Sequence, residues 1–541
     1  MNDENQNTGL KVALLLLLLF AIGGVIAFFY KEKVENNLTE QTTNIANTKV
    51  TFTANLDAWP GYIPIASKLL QNKLLSQGIN LQWSSDKGDY NSRIEALNSG
   101  NIDMAVITVD AHQLNKIKET IVGVEVLVID ESHGGDSVIA WRDCNISKVS
   151  DLNSNQAYSS QNTNGWKMAY LENTPSHELV RTIGRDLGID LLLKSDKEWF
   201  VTANSDKEIY EKFKNHEVCV IATWEPWRSK LLAIDGTVEI YSSKNADKDI
   251  VDVLLVSRKI LDASNEKNQY LETILNTYFD VLQELKSDNG LMLEQAKKFL
   301  QDFASMGNLS DDEIQSMING VKWINLKDNA ELWFGLAGKK YFGLIEAHEN
   351  ARNIISADEL HPNHLKGFDF NSILNSEIVR KLYLKGGYSQ SSDNTTETDS
   401  LKKSFPELND QAWNVLVEIG ELNAKPLIFL SGTSSLDENS AEIISEIMDE
   451  FRKYANFRLE LVAGYNPEIN SQEEKSLAEQ RAKNTLEYLI SNYGIDRNRV
   501  RINIPNPDSL KKIIATKANE STRGYGSRLR QVHFLLKNAP R

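Results

Sequence analysis

Short apolar segments alternate with longer amphipathic patterns over residues 49–388. Four of these segments, at 50–54, 104–107, 137–140 and 218–222, have the length and composition of buried strands. The segments between them repeat apolar positions at helical spacing. This alternation predicts α/β lobes built on parallel sheets with helical crossovers.

A second βα pattern follows a polar stretch. Residues 386–401 are rich in Ser, Asn and Thr, carry no apolar period and are typical of a linker. Beyond them the pattern predicts strands at 426–430, 458–462, 500–504 and 532–536, and helices at 440–454 and 471–491.

One apolar stretch, residues 12–30, matches the length of a bilayer-spanning helix. A cleaved signal peptide is the alternative, with Val25 and Ala27 at the −3 and −1 positions. The weakly acidic leading segment and the continuing apolar run favour an uncleaved anchor. We therefore expect a short cytoplasmic N-terminus at 1–11 and a tether at 31–48.

Composition narrows the possible functions. The 541 residues contain 59 Lys and Arg against 75 Asp and Glu, a net charge of −16, which argues against nucleic acid as the main partner. An apolar fraction of 41% excludes a wholly disordered chain. The only cysteines, Cys144 and Cys219, form no zinc module. Cys219 in its apolar strand is interpreted as a small core residue, and a disulfide with Cys144 stays open as the alternative.

Two predicted strands end in groups suited to a small ligand. Trp59-Pro60-Gly61-Tyr62 places a bend and two aromatic rings after the first strand. Thr108 and Asp110 follow the strand at 104–107, and ligands of open α/β sheets lie beyond the carboxyl ends of strands. Capping of the next helix is the alternative role for Thr108 and Asp110.

Two further segments point to charged ligand groups. Thr174, Pro175, Ser176 and His177 form a helix start with free N–H groups, which suits an anion. Glu225 follows another strand, and the next residue, a proline, favours extended geometry that keeps the carboxylate at the strand end.

In combination these segments resemble periplasmic solute-binding proteins of the nitrate, sulfonate and taurine branch, which have the type II binding-protein fold. The matching pieces are 59–62, 100–110, 130–140, 147–152, 174–177 and 224–227. The resemblance covers most of residues 49–388. It implies two α/β lobes that close on a small molecule about a hinge.

The resemblance also implies a set of ligand contacts. Ser176 and His177 would hold an anionic group and Glu225 a ligand amine, so a zwitterion or amine is favoured over a bare anion. An aromatic box for a quaternary ammonium stays open as an alternative. The predicted ligand-binding residues are Trp59, Tyr62, Thr108, Asp110, Asp136, Thr174, Ser176, His177, Trp224 and Glu225.

The segment from 405 to the end resembles the OmpA-like peptidoglycan-associated domain. The matching pieces are 426–432, 459–465, 477–482, 486–489 and 494–500. In that family an Asp and an Arg grip the diaminopimelate of the wall peptide. Arg481 matches the Arg, whereas Asn466 falls at the Asp position and Glu468 is the nearest acid, so wall binding and protein contact both stay open.

The sequence therefore predicts an α/β protein: a two-lobed type II binding protein (49–388), a linker (389–404) and a βαβα OmpA-like domain (405–541) behind a transmembrane helix. We expect an inner-membrane receptor with its bulk in the periplasm, a small solute as ligand, and an ABC permease and ATPase as partners. A non-transport scaffold or sensor is the alternative. The sequence shows no catalytic motif, cofactor motif or metal site, and His361 and His364 are interpreted as loop residues.

Overall fold

The computed structural model describes residues 48–539 apart from 119, 153–155, 160–161, 246–247, 263, 305–308, 337–342, 387–399, 431, 467–471 and 515–520. The strands are β1 (Val50–Leu56), β2 (Ile79–Ser85), β3 (Met104–Thr108), β4 (Val124–Ser132), β5 (Asp136–Trp141), β6 (Met168–Ala169), β7 (Val220–Trp224), β8 (Thr237–Ser242), β9 (Val251–Val256), β10 (Val321–Trp323), β11 (Val417–Glu421), β12 (Arg458–Ala463), β13 (Val500–Asn503) and β14 (Val532–Asn538).

The α-helices are α1 (Ile63–Ala66), α2 (Lys68–Ser76), α3 (Tyr90–Ser99), α4 (Val109–Leu114), α5 (Pro175–Asp186), α6 (Asp206–Lys214), α7 (Trp227–Leu232), α8 (Arg258–Leu261), α9 (Asn268–Ser287), α10 (Asn289–Phe299), α11 (Asp311–Asn319), α12 (Leu326–Asp328), α13 (Gly343–Ala357), α14 (Glu377–Lys385), α15 (Asp410–Asn414), α16 (Asn439–Arg452), α17 (Gln472–Tyr493), α18 (Pro507–Ile513) and α19 (Thr522–Arg528).

The first two sheets form two lobes. Lobe 1 contains a six-stranded sheet in the order β10-β4-β9-β3-β1-β2, and lobe 2 contains a four-stranded sheet in the order β6-β7-β5-β8. Every residue of β3, β7 and β9 is buried, because both faces of these central strands are covered. The predicted strands at 50–54 and 104–107 are confirmed as β1 and β3.

The prediction of purely parallel sheets is wrong. Strands β1, β2 and β3 pair in parallel, but β9 runs antiparallel to both β3 and β4. The reason is connectivity. The chain passes from lobe 1 to lobe 2 after β4 and returns through β9, which lies between β4 and β3 in the sheet of lobe 1. Short apolar strands carry no signal for strand direction.

Two crossing segments, 133–135 and 243–250, connect the lobes and are hydrogen-bonded to each other. The Ser243 hydroxyl accepts the backbone N–H of Gly134 at 2.9 Å and lies 2.7 Å from the Ser132 hydroxyl. The Ser132 hydroxyl in turn donates to Asp136 at 2.5 Å. These contacts join the two crossing segments to each other, and we call this connection between the lobes the hinge. Asp136 lies on its lobe 2 side.

The third sheet, in the order β11-β14-β12-β13, belongs to a C-terminal unit that follows the lobes. The predicted strand at 426–430 is wrong, because these residues form a turn in which Phe429 makes only an isolated bridge to Leu436. Ile428 and Leu430 are about half exposed, so their apolar character did not indicate a buried strand. The first strand of this sheet is instead β11.

The C-terminal unit packs on lobe 2 through one continuous apolar core. Leu187, at the end of α5, lies against Gly420 of β11, where an added Cβ would come within 3.1 Å of the leucine side chain. Asn423 donates its backbone N–H to the Asp186 carbonyl at 2.8 Å and its side-chain amide to the Arg185 carbonyl at 2.9 Å. The loop after β11 thus satisfies carbonyls at the C-terminal end of α5.

The two cysteines form a disulfide within lobe 2, between Cys144 and Cys219, with their Cα atoms 6.0 Å apart. The sequence interpretation of Cys219 as an unpaired core residue is therefore wrong. The pairing was not visible in the sequence because 75 residues separate the two positions, and only the pairing of β5 with β7 brings them together.

Candidate functional site

A cavity lies between the two lobes, beside the hinge. The free space beside its wall is about 230 Å³ when the open solvent at the mouth is counted, and the enclosed part is close to the size of one water molecule. Both lobes and the second crossing segment contribute to it. Its wall consists of Asp57, Trp59, Tyr62, Tyr90, Thr108, Asp136, Pro175, Trp224, Ile250 and Asp252.

Four aromatic side chains form much of this wall. Trp59, Tyr62 and Tyr90 belong to lobe 1, whereas Trp224 comes from lobe 2 and packs into the apolar core of lobe 1. Each of the four is at least nine-tenths buried. Since a lobe 2 ring lies inside the lobe 1 core, the cleft is closed in this structure.

Trp59 is held in place by a close fit at two glycines. Its indole N–H donates to Asp130 at 3.0 Å. A Cβ added at Gly61 would lie 2.2 Å from this indole nitrogen, and one at Gly135 would lie 2.2 Å from the far edge of the ring. Glycine at both positions lets the ring lie between the bend after β1 and the hinge.

One carboxylate of the wall, Asp57, has an internal counter-charge. The Arg93 guanidinium donates to Asp57 at 3.0 Å and also binds Asp86 through two nitrogens. Its carbon lies 4.7 Å from the centre of the Tyr90 ring. One buried cation therefore serves two carboxylates, so the group as a whole keeps a negative charge.

A second acid, Asp252, forms a carboxyl pair with Asp130 at the base of the cavity. The Tyr62 hydroxyl donates to Asp252, and Trp59 donates to Asp130. Burial, together with the proximity of the other acid, raises the pKa of Asp252 well above its usual range, and burial raises the pKa of Asp130 to about 7. The pair therefore retains a proton near neutral pH.

Asp136 is the acid of the wall that most needs a partner. Its Oδ2 accepts the Ser132 hydroxyl, whereas its Oδ1 accepts no hydrogen bond within the described part of the chain. Burial, with a smaller contribution from Asp110, Asp130 and Glu225, raises its pKa to about 8. A cation in the cavity would stabilise the ionised form of this carboxyl.

The cavity wall contains no basic side chain among the residues that the structure describes. Three carboxyl groups and four aromatic rings therefore face this space, and the Arg93 guanidinium behind them is bound to Asp57 and Asp86. A buried carboxylate without a counter-charge is costly, and a cation over an aromatic face is favoured. This arrangement suits an ammonium group better than an anion.

The predicted anion cradle at the start of α5 lies partly outside the wall. Thr174 donates its hydroxyl to the Leu171 carbonyl at 2.7 Å rather than capping the helix. His177 accepts the Asn173 backbone N–H at 3.2 Å and packs on the Tyr170 ring. Burial lowers the pKa of His177 well below its usual value, so this imidazole is neutral. Pro175 is the residue of this segment that reaches the wall.

Glu225 has internal partners. Its carboxylate accepts from the Arg228 guanidinium at 3.0 Å, the Ser229 hydroxyl at 2.8 Å and the Ser229 backbone N–H at 3.0 Å. These bonds fix the start of α7, and Glu225 is absent from the cavity wall. The sequence signal for this structural role was the spacing of three residues between Glu225 and Arg228, which suits an ion pair on one helical turn.

Of the remaining predicted ligand residues, Trp59, Tyr62, Thr108, Asp136 and Trp224 lie on the wall, and Asp110 and Ser176 are buried behind it. Sequence reasoning missed Tyr90, Asp57 and Asp252. Asp57 had a signal, because it follows β1 directly. Tyr90 begins a helix and Asp252 lies inside β9, so their sequence neighbours gave no hint of a shared cavity.

In the C-terminal unit, Arg481 lies on α17 with its guanidinium over the Phe429 ring at 4.9 Å, and it donates to the Thr433 carbonyl at 3.1 Å. Asn466 donates its backbone N–H to Glu474 at 3.0 Å. Glu468 lies outside the described residues.

The predicted anchor at 12–30 also lies outside the described residues, as does nearly all of the tether. Within the described portion of the chain, no helix combines the length and the apolar character needed to cross a bilayer.

Comparison with known proteins gave structural matches only. No family model and no curated protein matches the sequence. The alkanesulfonate-binding protein from Xanthomonas axonopodis pv. citri, bound to MOPS, aligns with 61% of this chain and 99% of its own at 13% identity and a TM-score of 0.44. The aliphatic sulphonate-binding protein of Escherichia coli covers 59% and 95% at 15% identity and a TM-score of 0.42. The periplasmic nitrate-binding protein of Synechocystis PCC 6803 covers 62% and 88% at 11% identity and a TM-score of 0.42.

Proposed function

We propose that this chain is a membrane-anchored periplasmic receptor that closes its two lobes on a small cationic amine. The observation that carries the proposal is the cavity at the hinge, with four aromatic rings, three carboxyl groups and no basic side chain in the described wall. Among the zwitterionic, amine and anionic solutes that the sequence left open, this wall favours an amine. Asp136 is the proposed partner of the ammonium group, and the aromatic rings enclose it.

Closure has a physical basis in this site. Asp136 begins β5 at the hinge and is bonded to Ser132, so a charge that binds Asp136 acts directly on the crossing segments. Trp224 brings lobe 2 into the core of lobe 1 when the cleft is closed. A ligand that binds the closed state more tightly than the open state shifts the population towards closure by that difference in affinity.

The compartment and partners are part of the proposal. A disulfide such as Cys144–Cys219 persists in an oxidising compartment, which supports a periplasmic location for the lobes. The helix predicted at 12–30 would hold the chain in the inner membrane. Solute-binding components of importers occur among the structural matches, and an ABC permease and ATPase are the partners that we propose.

Peptidoglycan is the proposed partner of the C-terminal unit, through Arg481 with Asn466 and Glu468. Arg481 is only partly buried, which supports a contact of its guanidinium with a carboxylate of the wall peptide. Thr433 and Phe429 hold the guanidinium in place.

The test is a thermal-shift and calorimetric screen of the full chain in detergent. The probes are tetramethylammonium, choline and butylamine, with nitrate and ethanesulfonate as anions. A ligand at a hundred times its Kd raises the stability by about 2.7 kcal/mol. We expect amines to bind and Asp136→Asn to weaken them by about 2 kcal/mol or more, since a desolvated ammonium loses its counter-charge.

The control is Glu284→Gln, which removes a carboxylate paired with Lys73 between α2 and α9, away from the cavity wall. It should leave amine affinity unchanged. Binding of anions alone, or amine binding that survives Asp136→Asn unchanged, would contradict the proposed function.

A sensor or scaffold is a second candidate function, favoured by the packing of the C-terminal unit on lobe 2. A unit fixed to lobe 2 moves with that lobe relative to lobe 1. Spin labels on lobe 1 and on the C-terminal unit would measure this distance with and without an amine found in the screen. A distance that does not change on binding would speak against sensing.

A further inference from the structure

A second group of buried acids lies between the lobes, behind the wall of the cavity. Helix α4 of lobe 1 and helix α5 of lobe 2 pack against each other. Each contributes a carboxyl from its first turn: Asp110, which is 1% exposed, and Glu178, which is fully buried. None of the four carboxyl oxygens accepts a hydrogen bond from the described residues.

The pair is only partly compensated by neighbouring charge. Arg181 approaches Glu178 with its Nη1 at 3.6 Å, but its Nε donates to Asp358 at 3.0 Å. Lys197 lies 3.9 Å from the same Asp358 carboxylate. With all groups ionised, the two cations therefore face three acids, which leaves one uncompensated negative charge before ligand binds.

Asp249 adds a further negative charge near these groups. Burial raises the pKa of Glu178 well above its usual range, and Asp110 and Asp249 act in the same direction, while Arg181 opposes them. Burial also raises the pKa of Asp110, which the nearby Thr108 hydroxyl and Arg181 oppose. A bound cation would oppose these shifts, because it stabilises the ionised form of each carboxyl.

The acid pair adjoins the cavity. Thr108, the last residue of β3, lies on the cavity wall two positions before Asp110. Pro175, the first residue of α5, lies on the wall three positions before Glu178. The pair is therefore placed directly behind the part of the wall where the two lobes meet.

The groups around the pair include two hydroxyls, which can accept a hydrogen bond, and the Arg181 guanidinium, which can only donate. Thr182 lies one helical turn beyond Glu178, and its hydroxyl has no partner among the described residues, as is also true of the Thr108 hydroxyl. A protonated amine has three N–H donors and no acceptor, so it matches such a set. Within the described chain, no cluster of His, Cys, Asp and Glu is arranged to hold a metal ion, which favours an organic cation.

We propose that the ligand is a short aliphatic diamine whose first ammonium group binds Asp136 inside the aromatic cavity and whose second is received by Asp110 and Glu178 between α4 and α5. This inference rests on the proposed function and names its substrate class. Because one acid of the second subsite belongs to each lobe, the second ammonium joins the lobes directly. A monoamine fills only the first subsite and closes the cleft less firmly.

The test compares diamines with matched monoamines by calorimetry on the full chain in detergent. The probes are ethylenediamine, diaminobutane and diaminohexane against butylamine. We expect a diamine of fitting length to bind at least about tenfold more tightly than butylamine, as expected for an added desolvated charge pair. Glu178→Gln should reduce the diamine to the affinity of butylamine and leave butylamine itself unchanged. Asp110→Asn should remove the advantage of the diamine over butylamine measured with the same variant.

Three outcomes separate this inference from the proposed function. Equal affinities for diamines and butylamine, or variants that weaken both alike, would overturn the second subsite while the amine receptor stands. Failure of every amine would overturn both proposals. Two variants on different helices guard against misfolding of one, and Glu284→Gln is the control that should change neither affinity.

Discussion

Two buried groups of charges in this protein differ in how completely they are paired. The first, which we call the docking ring, consists of Arg185 and Asp186 at the end of α5 and Glu450 and Lys453 of the C-terminal unit. Each of its four members contacts both neighbours of opposite charge: Arg185 at 2.6 Å from Asp186 and 3.3 Å from Glu450, Lys453 at 2.8 Å from Glu450 and 3.5 Å from Asp186. Two cations balance two acids.

The second group, which we call the cleft acids, comprises Asp57, Asp110, Asp136, Glu178 and Asp252. Here acids outnumber the available cations, and Asp110 and Glu178 accept no hydrogen bond within the described chain. Buried charge is tolerated when it is paired and is costly when it is not. Mutual pairing within the docking ring suits a permanent interface, although Asp249 also acts on the same cations. In the cleft, we propose that a ligand completes the pairing.

The largest expected effect breaks the docking ring. Lys453→Met keeps most of the aliphatic stem but leaves Asp186 and Glu450 with a single cation. Because the Lys453 side chain keeps 18% of its exposure, we expect a loss of about 2–3 kcal/mol, towards the lower end for buried ion pairs. Urea unfolding measures this free energy.

The contrasting variant for that experiment is Asp110→Asn in the cleft. It removes a charge that makes no hydrogen bond with the described residues, so the free energy of unfolding should stay the same or rise. Equal losses in both variants would show that the two groups of charges do not differ as we describe.

A smaller effect concerns pH. In the free protein Asp136 has a pKa of about 8, so near neutral pH an arriving ammonium must displace its proton. Amine affinity should therefore rise by up to about tenfold per pH unit below pH 8 and level off above it. Calorimetry in buffers of different ionisation enthalpy measures the released proton.

The variant Asp136→Asn isolates this proton from that of the Asp130–Asp252 pair. It should flatten the part of the pH profile that belongs to Asp136. An amine affinity independent of pH in the wild-type chain would rule out an ammonium bound to this carboxyl.

The smallest expected effect lies at the rim of the docking interface. Lys148 of lobe 2 contacts Glu418 of β11 at 3.1 Å, but its side chain is 40% exposed and Lys537 also reaches Glu418, at 3.3 Å. Lys148→Ala should therefore cost about 0–1 kcal/mol in urea unfolding. A loss as large as that of Lys453→Met would mean that the rim, rather than the docking ring, holds the C-terminal unit in place.

The sequence predicted the elements better than their arrangement. Strand β3 and helix α17 were found from local patterns, because apolar runs and helical periodicity reflect burial directly. The strand at 426–430 was predicted from an apolar run that the structure leaves partly exposed. Strand β11 was missed because it is an edge strand with a mixed burial pattern, which leaves little apolar signal.

The site shows the same division. Trp59, Thr108 and Trp224 were named because they follow or end strands, and such ends meet at a cleft in α/β proteins. Their ligand roles stay predictions. Tyr90 and Asp252 were not named. Both lie inside a helix or strand, and the cavity that such a residue lines is known only when the positions of the neighbouring elements are known.

What the sequence alone determined is local: which segments are most of the strands and helices, and which residues follow strand ends. The tertiary structure decided strand direction, the disulfide, the docking of the C-terminal unit on lobe 2 and the charge of the cleft. These depend on which residues meet across large separations in the chain, such as Asp57 with Arg93 or Asp110 with Glu178. These contacts between distant parts of the chain decide whether a carboxylate has a partner within the protein, because pairing depends on distance in space rather than on position in the sequence.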